Sequence, residues 1–213
     1  MLLAAAPALA EVDEVGNFAD LPFPTASCPD NCQAIGKVSG YQVQLGTHKN
    51  PYVVPKSGRI VAFTIKLGNP NAQQVQYFNG LFGGAPSARI SVLKTLPRGR
   101  QAELLAQSDV YQLSNYLGST PSFVLSKPLS VQAGRTIALT VPTWVPAFGV
   151  GLGADFAWRS SRAKSACNSQ AAATQEKLKS TSAYQCFYRT ARLLYSVTYV
   201  VNPTPTNSTT SHH

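Results

Sequence analysis

Charge is scarce in this chain of 213 residues: charged side chains make up 13% of it, nine acidic against 18 basic. Glu11, Asp13, Glu14, Asp20 and Asp30 precede every lysine and arginine, so the body from Lys37 onward keeps only Glu103, Asp109, Asp155 and Glu176 as acids. Such a body disfavours a calcium cage, which draws on several carboxylates at once; Asp155 with backbone carbonyls is the remaining cation candidate. Paired-carboxylate glycoside hydrolysis is equally short of groups. Glu103 and Asp109 on one unbroken strand would stand roughly 20 Å apart, too far for joint action. Histidine is rarer still, with His212 and His213 in the final residues and His48 in the turn-like "GTHKNP". That setting predicts a solvated imidazole, and with no G-x-S-x-G present a nucleophilic triad has no visible members. No apolar run approaches the roughly 20 residues of a spanning helix, so no transmembrane segment is expected.

What is abundant is glycine and proline, 15 of each, beside 44% hydrophobic residues. That balance favours short strands joined by turns over helical bundles. Alternation recurs in "RIVAFTIKL", with Val61, Phe63, Ile65 and Leu67 on one face, and in "RTIALTV", with Ile137, Leu139 and Val141. "ARLLYSVTYVV" places Leu193, Tyr195, Val197, Tyr199 and Val201 together. Shorter strands are expected at 41–45, 88–96, 103–113, 122–125 and 129–132. The composition of "QAAATQEKLKS" (170–180) predicts the one short helix. The expected fold is all-β: an antiparallel two-sheet sandwich, jelly-roll-like, over 35–201. Before it come an apolar start (1–10) ending Ala8-Leu9-Ala10, read as a signal-peptide remnant, and an extended acidic lead-in (11–34). A polar tail (202–213) carries a glycosylation acceptor pattern at Asn207-Ser208-Thr209.

Four cysteines allow three connectivities. Their spacing suggests the local pairs Cys28 with Cys32 and Cys167 with Cys186, since gaps of this kind without supporting histidine suit zinc poorly. Closing the second loop is worth roughly 3 kcal/mol on the chain-entropy estimate. Disulfides and a signal-like start together predict a secreted or cell-surface location.

The stretch "VPTWVPAFGVGLGADFAWRSSR" (141–162) holds both tryptophans. Gly149, Gly151 and Gly153 formally satisfy a dinucleotide fingerprint, but no strand-to-helix context surrounds them, and no cofactor is expected. Trp144 between two prolines is either an exposed stacking platform or a packed corner. Trp158 follows Phe156 at strand spacing and is expected to face the core. "VQYFNGLFGG" (75–84) offers Tyr77, Phe78 and Phe82 as a second lip, or as a plug over one end of the sandwich. Arg159, Arg162, Lys164, Lys177, Lys179, Arg189 and Arg192 form a basic cluster near the second cysteine pair, interleaved with Tyr184, Phe187 and Tyr188. Such a cluster attracts polyanions, although no nucleic-acid motif accompanies it. Asp155 pairing with Arg159 or Arg162 would explain part of it structurally.

From "VPKSGRIVAFTIKLG" through "PLSVQAGRTIALTVPTW" to "ARLLYSVTYVV" the chain resembles a broad group of uncharacterised bacterial secreted β-sandwich proteins. It departs at Arg135, where that group often has an acid. The resemblance implies a fold and an exported context. The resulting expectation is a secreted, non-catalytic binding or surface module for a glycan or anionic cell-surface polymer. Trp144, Tyr77, Phe82, Asp155, Arg159 and Arg162 are its candidate contacts. A lyase acting on acidic polysaccharide is the enzymatic alternative, and a structural surface protein without a small ligand the third.

Overall fold

The computed structural model describes residues 10–97 and 100–203; the signal-like residues before Ala10 and the acceptor pattern at Asn207 lie outside them. Among the described residues the strands are β1 (Val12–Val15), β2 (Ile35–Leu45), β3 (His48–Lys49), β4 (Gly58–Ile65), β5 (Ser87–Thr95), β6 (Gln101–Gln107) and β7 (Tyr111–Gln112). There follow β8 (Ser122–Val131), β9 (Thr136–Val145), β10 (Phe148–Val150), β11 (Phe156–Ser160), β12 (Thr181–Ala183), β13 (Cys186–Arg189), β14 (Ala191–Leu193) and β15 (Tyr195–Val201). A four-stranded sheet runs β1-β15-β4-β8, a nine-stranded one is built on β12-β6-β5-β9-β2-β11-β13, and β10 pairs with β14. All these strand pairs are antiparallel. The fold is thus all-β, as the alternation requires, and it begins earlier than residue 35 because the acidic lead-in contributes β1.

One core lies between the two large sheets. Ile60, Phe63 and Ile65 of β4 and Tyr195, Val197 and Tyr199 of β15 meet Ile90 and Val92 of β5 and Ile137, Leu139 and Val141 of β9. The predicted face of β4 is right at Phe63 and Ile65 but not at Val61, whose place is taken by Ile60. The ladder shifts between Ile60 and Ala62, and a bulge there exchanges the faces. Bulging also explains how β9, an interior strand, carries Pro142. Gly36 pairs with Trp144 and Val38 with Val141, so Pro142 and Thr143 share one partner, Lys37, and the missing proline N–H breaks no regular rung.

The outer face of the large sheet is covered twice. At one end sits α1 (Ala72–Phe82), in the segment read from sequence as a second lip or a plug. Asn71 accepts from the Gln74 backbone while the Gln74 side chain accepts from the Asn71 backbone, a reciprocal cap, and Gly83 ends the helix in the left-handed region at φ 73°. At the other end the segment inside the Cys167–Cys186 loop lies across the sheet as an extended strap. No helix forms over 170–180, contrary to the composition. The backbone of Ala173 donates to Lys37 O at 2.9 Å and that of Gln175 to Ser39 Oγ at 3.2 Å, bonds a helix would have kept for itself. Beneath the strap Ser39, Thr140 and Ser91 hydroxyls bond to one another at 2.7–2.8 Å, and Tyr184 closes a small second core with Tyr41, Leu93 and Leu104. Both disulfides pair as their spacing suggests, Cys28 with Cys32 and Cys167 with Cys186.

Buried tyrosines give the core a pH limit. Burial first, then the charge of Asp13, pushes the Tyr199 hydroxyl up to about 12, and burial raises Tyr52, Tyr184 and Tyr195 as well. The folded state therefore holds protons that an unfolded tyrosine releases near pH about 10. Stability from these groups is complete below that pH and falls as pH rises from about 10 through 12. Urea midpoints measured along an alkaline series should decline over that window; a flat profile would contradict the assignment.

Candidate binding cavity

The start of β2, the end of α1, β10 and the β11–β13 ribbon enclose a cavity of about 530 Å³, within the size range of small-molecule sites. Phe82 comes from the helix, Phe148 from β10, and Trp158 and Tyr188 from the ribbon, where they are cross-strand partners. Their rings stack at 4.6 Å, and Phe148 meets Trp158 edge-on at 5.7 Å. Gly36 is required here, because a Cβ at that position would overlap the Phe82 ring.

Arg162 is the cavity's charged group. It stands two residues past the end of β11, its residue surface is 8% exposed, and it lines the cavity. Nη2 donates to Ala171 O of the strap at 3.3 Å, while Nε has no partner. No ion pair with a described carboxylate neutralises it. Burial pulls this guanidinium below its usual range, opposed by the Tyr188 hydroxyl, which also donates to Cys167 O at 2.6 Å. Trp158 Nε1 is likewise buried without an acceptor. A buried donor left unmade costs about 1–3 kcal/mol, more for a charged group, so the site is deficient in acceptors and in negative charge.

Of the six candidate contacts read from sequence, Phe82 and Arg162 line the cavity; Arg189 and Tyr188 of the basic cluster and its interleaved aromatics join them there. Trp144 has no exposed surface. Its Nε1 donates to Asn79 Oδ1 at 2.9 Å and Gly84 O at 3.0 Å, and Phe78 packs 4.9 Å from its ring. It is the packed corner, and the stacking platform is set aside. Tyr77 is 61% exposed on the outer side of α1, against Phe78. Asp155 stands exposed in the turn between β10 and β11, and no described ion pair joins it to Arg159 or Arg162. Arg159 lies on the opposite face of the ribbon from Trp158, donating to Tyr184 O at 3.1 Å.

Two further expectations change. Arg192 does not belong to the surface cluster; it is wholly buried and donates to the carbonyls of Gly16, Leu21 and Pro22. His48 is not simply solvated, since Nε2 lies 3.0 Å from Asp20 and Phe18 stacks on the ring. Phe148 is the cavity aromatic that sequence reasoning passed over; Tyr188 was read only as an aromatic of the basic cluster, and Trp158, read as core, serves both core and cavity wall. Among the described residues no three His, Cys, Asp or Glu side chains converge to hold a metal ion, and no helix is long and apolar enough to cross a membrane. No family model matches the chain, and no curated protein matches it by sequence.

Proposed function

We propose that this protein is a secreted, non-catalytic binding module, jelly-roll-like in architecture, that accepts an acidic glycan unit in the Arg162 cavity. The observation that carries this reading is an arginine whose residue surface is 8% exposed, without an acidic partner, in the wall of an aromatic-lined cavity. A planar guanidinium fork matches a carboxylate in two parallel hydrogen bonds, and aromatic walls suit the apolar face of a pyranose ring. Two disulfides fit an oxidising compartment.

Digalacturonate is a direct probe, with uncharged galactobiose as its control. Arg162→Gln should weaken digalacturonate binding by about 10- to 100-fold, the worth of one charge-assisted pair. Binding of galactobiose as tight as that of the acid, or an unaffected variant, would remove the basis of the proposal.

The Tyr188 hydroxyl beside Arg162 favours one competing reading, a lyase. There the deprotonated tyrosine would take the C5 proton of a uronate and return it to the glycosidic oxygen as that oxygen leaves C4. None of the described cavity residues is a carboxylate or imidazole, which supports binding over turnover. Appearance of the C4–C5 double bond in polygalacturonate incubated with the protein would decide for the lyase.

A further inference from the structure

We infer that the acidic glycan continues beyond the cavity, round the edge of β13, into a cationic groove on the opposite face of the β11–β13 ribbon, so that the ligand is a polymer charged along its length. The inference rests on the reading of the Arg162 cavity as an acidic-glycan site and names the extent of that site.

Strand geometry creates the second half. Side chains alternate between faces, so where Trp158 and Tyr188 face the cavity, the next cross-strand pair, Arg159 and Phe187, faces away. Phe187 is 41% exposed, and the guanidinium carbons of Arg159 and Arg189 lie 5.1 and 5.2 Å from its ring centroid. Arg159 and Phe187 with Arg100, Lys164 and Gln185 shape a depression of about 330 Å³, and none of its lining residues is acidic. Arg189 borders the cavity as well as stacking on Phe187. Lys164 and Arg162 are separated by one residue, so the chain carries a cation to each side. β13 ends the order of the large sheet; the 163–167 segment is bound beside its Cys186 end, and Arg189 at its other end borders the cavity and reaches Phe187.

The ring of Phe187 is engaged by two guanidinium groups and holds them in place, so it is a poor platform for a nucleic-acid base. Closely spaced cations around a ring already in use suit the repeated carboxylates of a polyuronate, and the disulfides point to the same extracellular class of partner.

The experiment compares digalacturonate with hexagalacturonate by calorimetry on the whole chain. The hexamer should bind about tenfold or more tightly, because its second segment engages at high effective concentration. Arg100→Gln combined with Lys164→Gln changes two exposed side chains and should bring hexamer affinity down toward that of the dimer, with dimer affinity and thermal melting unchanged. Dimer binding without a length effect, or a hexamer indifferent to the double variant, overturns this inference and leaves the cavity reading intact. No dimer binding at all overturns both. An oligothymidylate of equal charge that binds more tightly than the hexamer would make the partner a nucleic acid and overturn the polysaccharide assignment.

Discussion

Replacing Trp144 by alanine should lower the unfolding free energy by about 3–5 kcal/mol, the usual loss for a large aromatic side chain removed from a filled interior. Trp144 heads the fully buried side chains by volume, and its indole is the surface against which Phe78 and Phe82 of α1 rest. Its deletion leaves a hole under the helix and strips Asn79 Oδ1 and Gly84 O of their donor. Urea unfolding gives the number. If the alanine variant does not accumulate, Trp144→Phe keeps most of the volume and isolates the lost donor, worth about 1–3 kcal/mol. Trp144→Phe, which keeps most of the surface under Phe82, should keep its affinity for digalacturonate, because the indole itself does not line the cavity. A stable variant that has lost binding would return Trp144 to the site.

Arg192→Met should have an effect of similar size with a different signature. Methionine replaces the aliphatic stem but not the guanidinium that gathers Leu21 O and Pro22 O at 2.9 and 3.0 Å and Gly16 O at 3.2 Å. Carbonyls left without a donor should cost about 3 kcal/mol or more in total. The loss should be local at first, with amide exchange and proteolysis rising between Gly16 and Phe23 before the sheets open. Phe23, stacked 4.8 Å from the guanidinium carbon, would be freed with them. Unchanged protection of that segment would show that packing alone, or the His48–Asp20 pair, holds it.

Period-two alternation was enough to find the sandwich, since β9 and β15 follow it over most of their length and each turns one apolar face into the main core. What alternation misses is the bulge. Nothing in "RIVAF" announces that Ile60 rather than Val61 turns inward, because the shift is set by register against β8 and β15. The two covers of the outer face were misread for opposite reasons. Ala171, Ala172 and Ala173 favour a helix intrinsically, but the edges of the buried serine and threonine ladder offer their backbone better partners. The real helix was legible in principle, since Asn71 with Gln74 is a capping box and Val75, Phe78 and Phe82 recur at helical spacing. Arginine type alone did not separate surface from interior. Arg159, Arg162 and Arg192 read alike in sequence, and only the carbonyls, rings and empty space around each distinguish groove, cavity and clasp.

The pairing of β1 with β15 sets Val12 opposite Val200, so the chain enters and leaves the small sheet at the same end. Tension applied between those two points, as between a surface anchor and a bound fibre, would open the pair like a zipper, one rung at a time. Antiparallel strands loaded in that direction yield far more readily than strands pulled in shear, so a tether at a single end would spare the sheet what a tether at both would not.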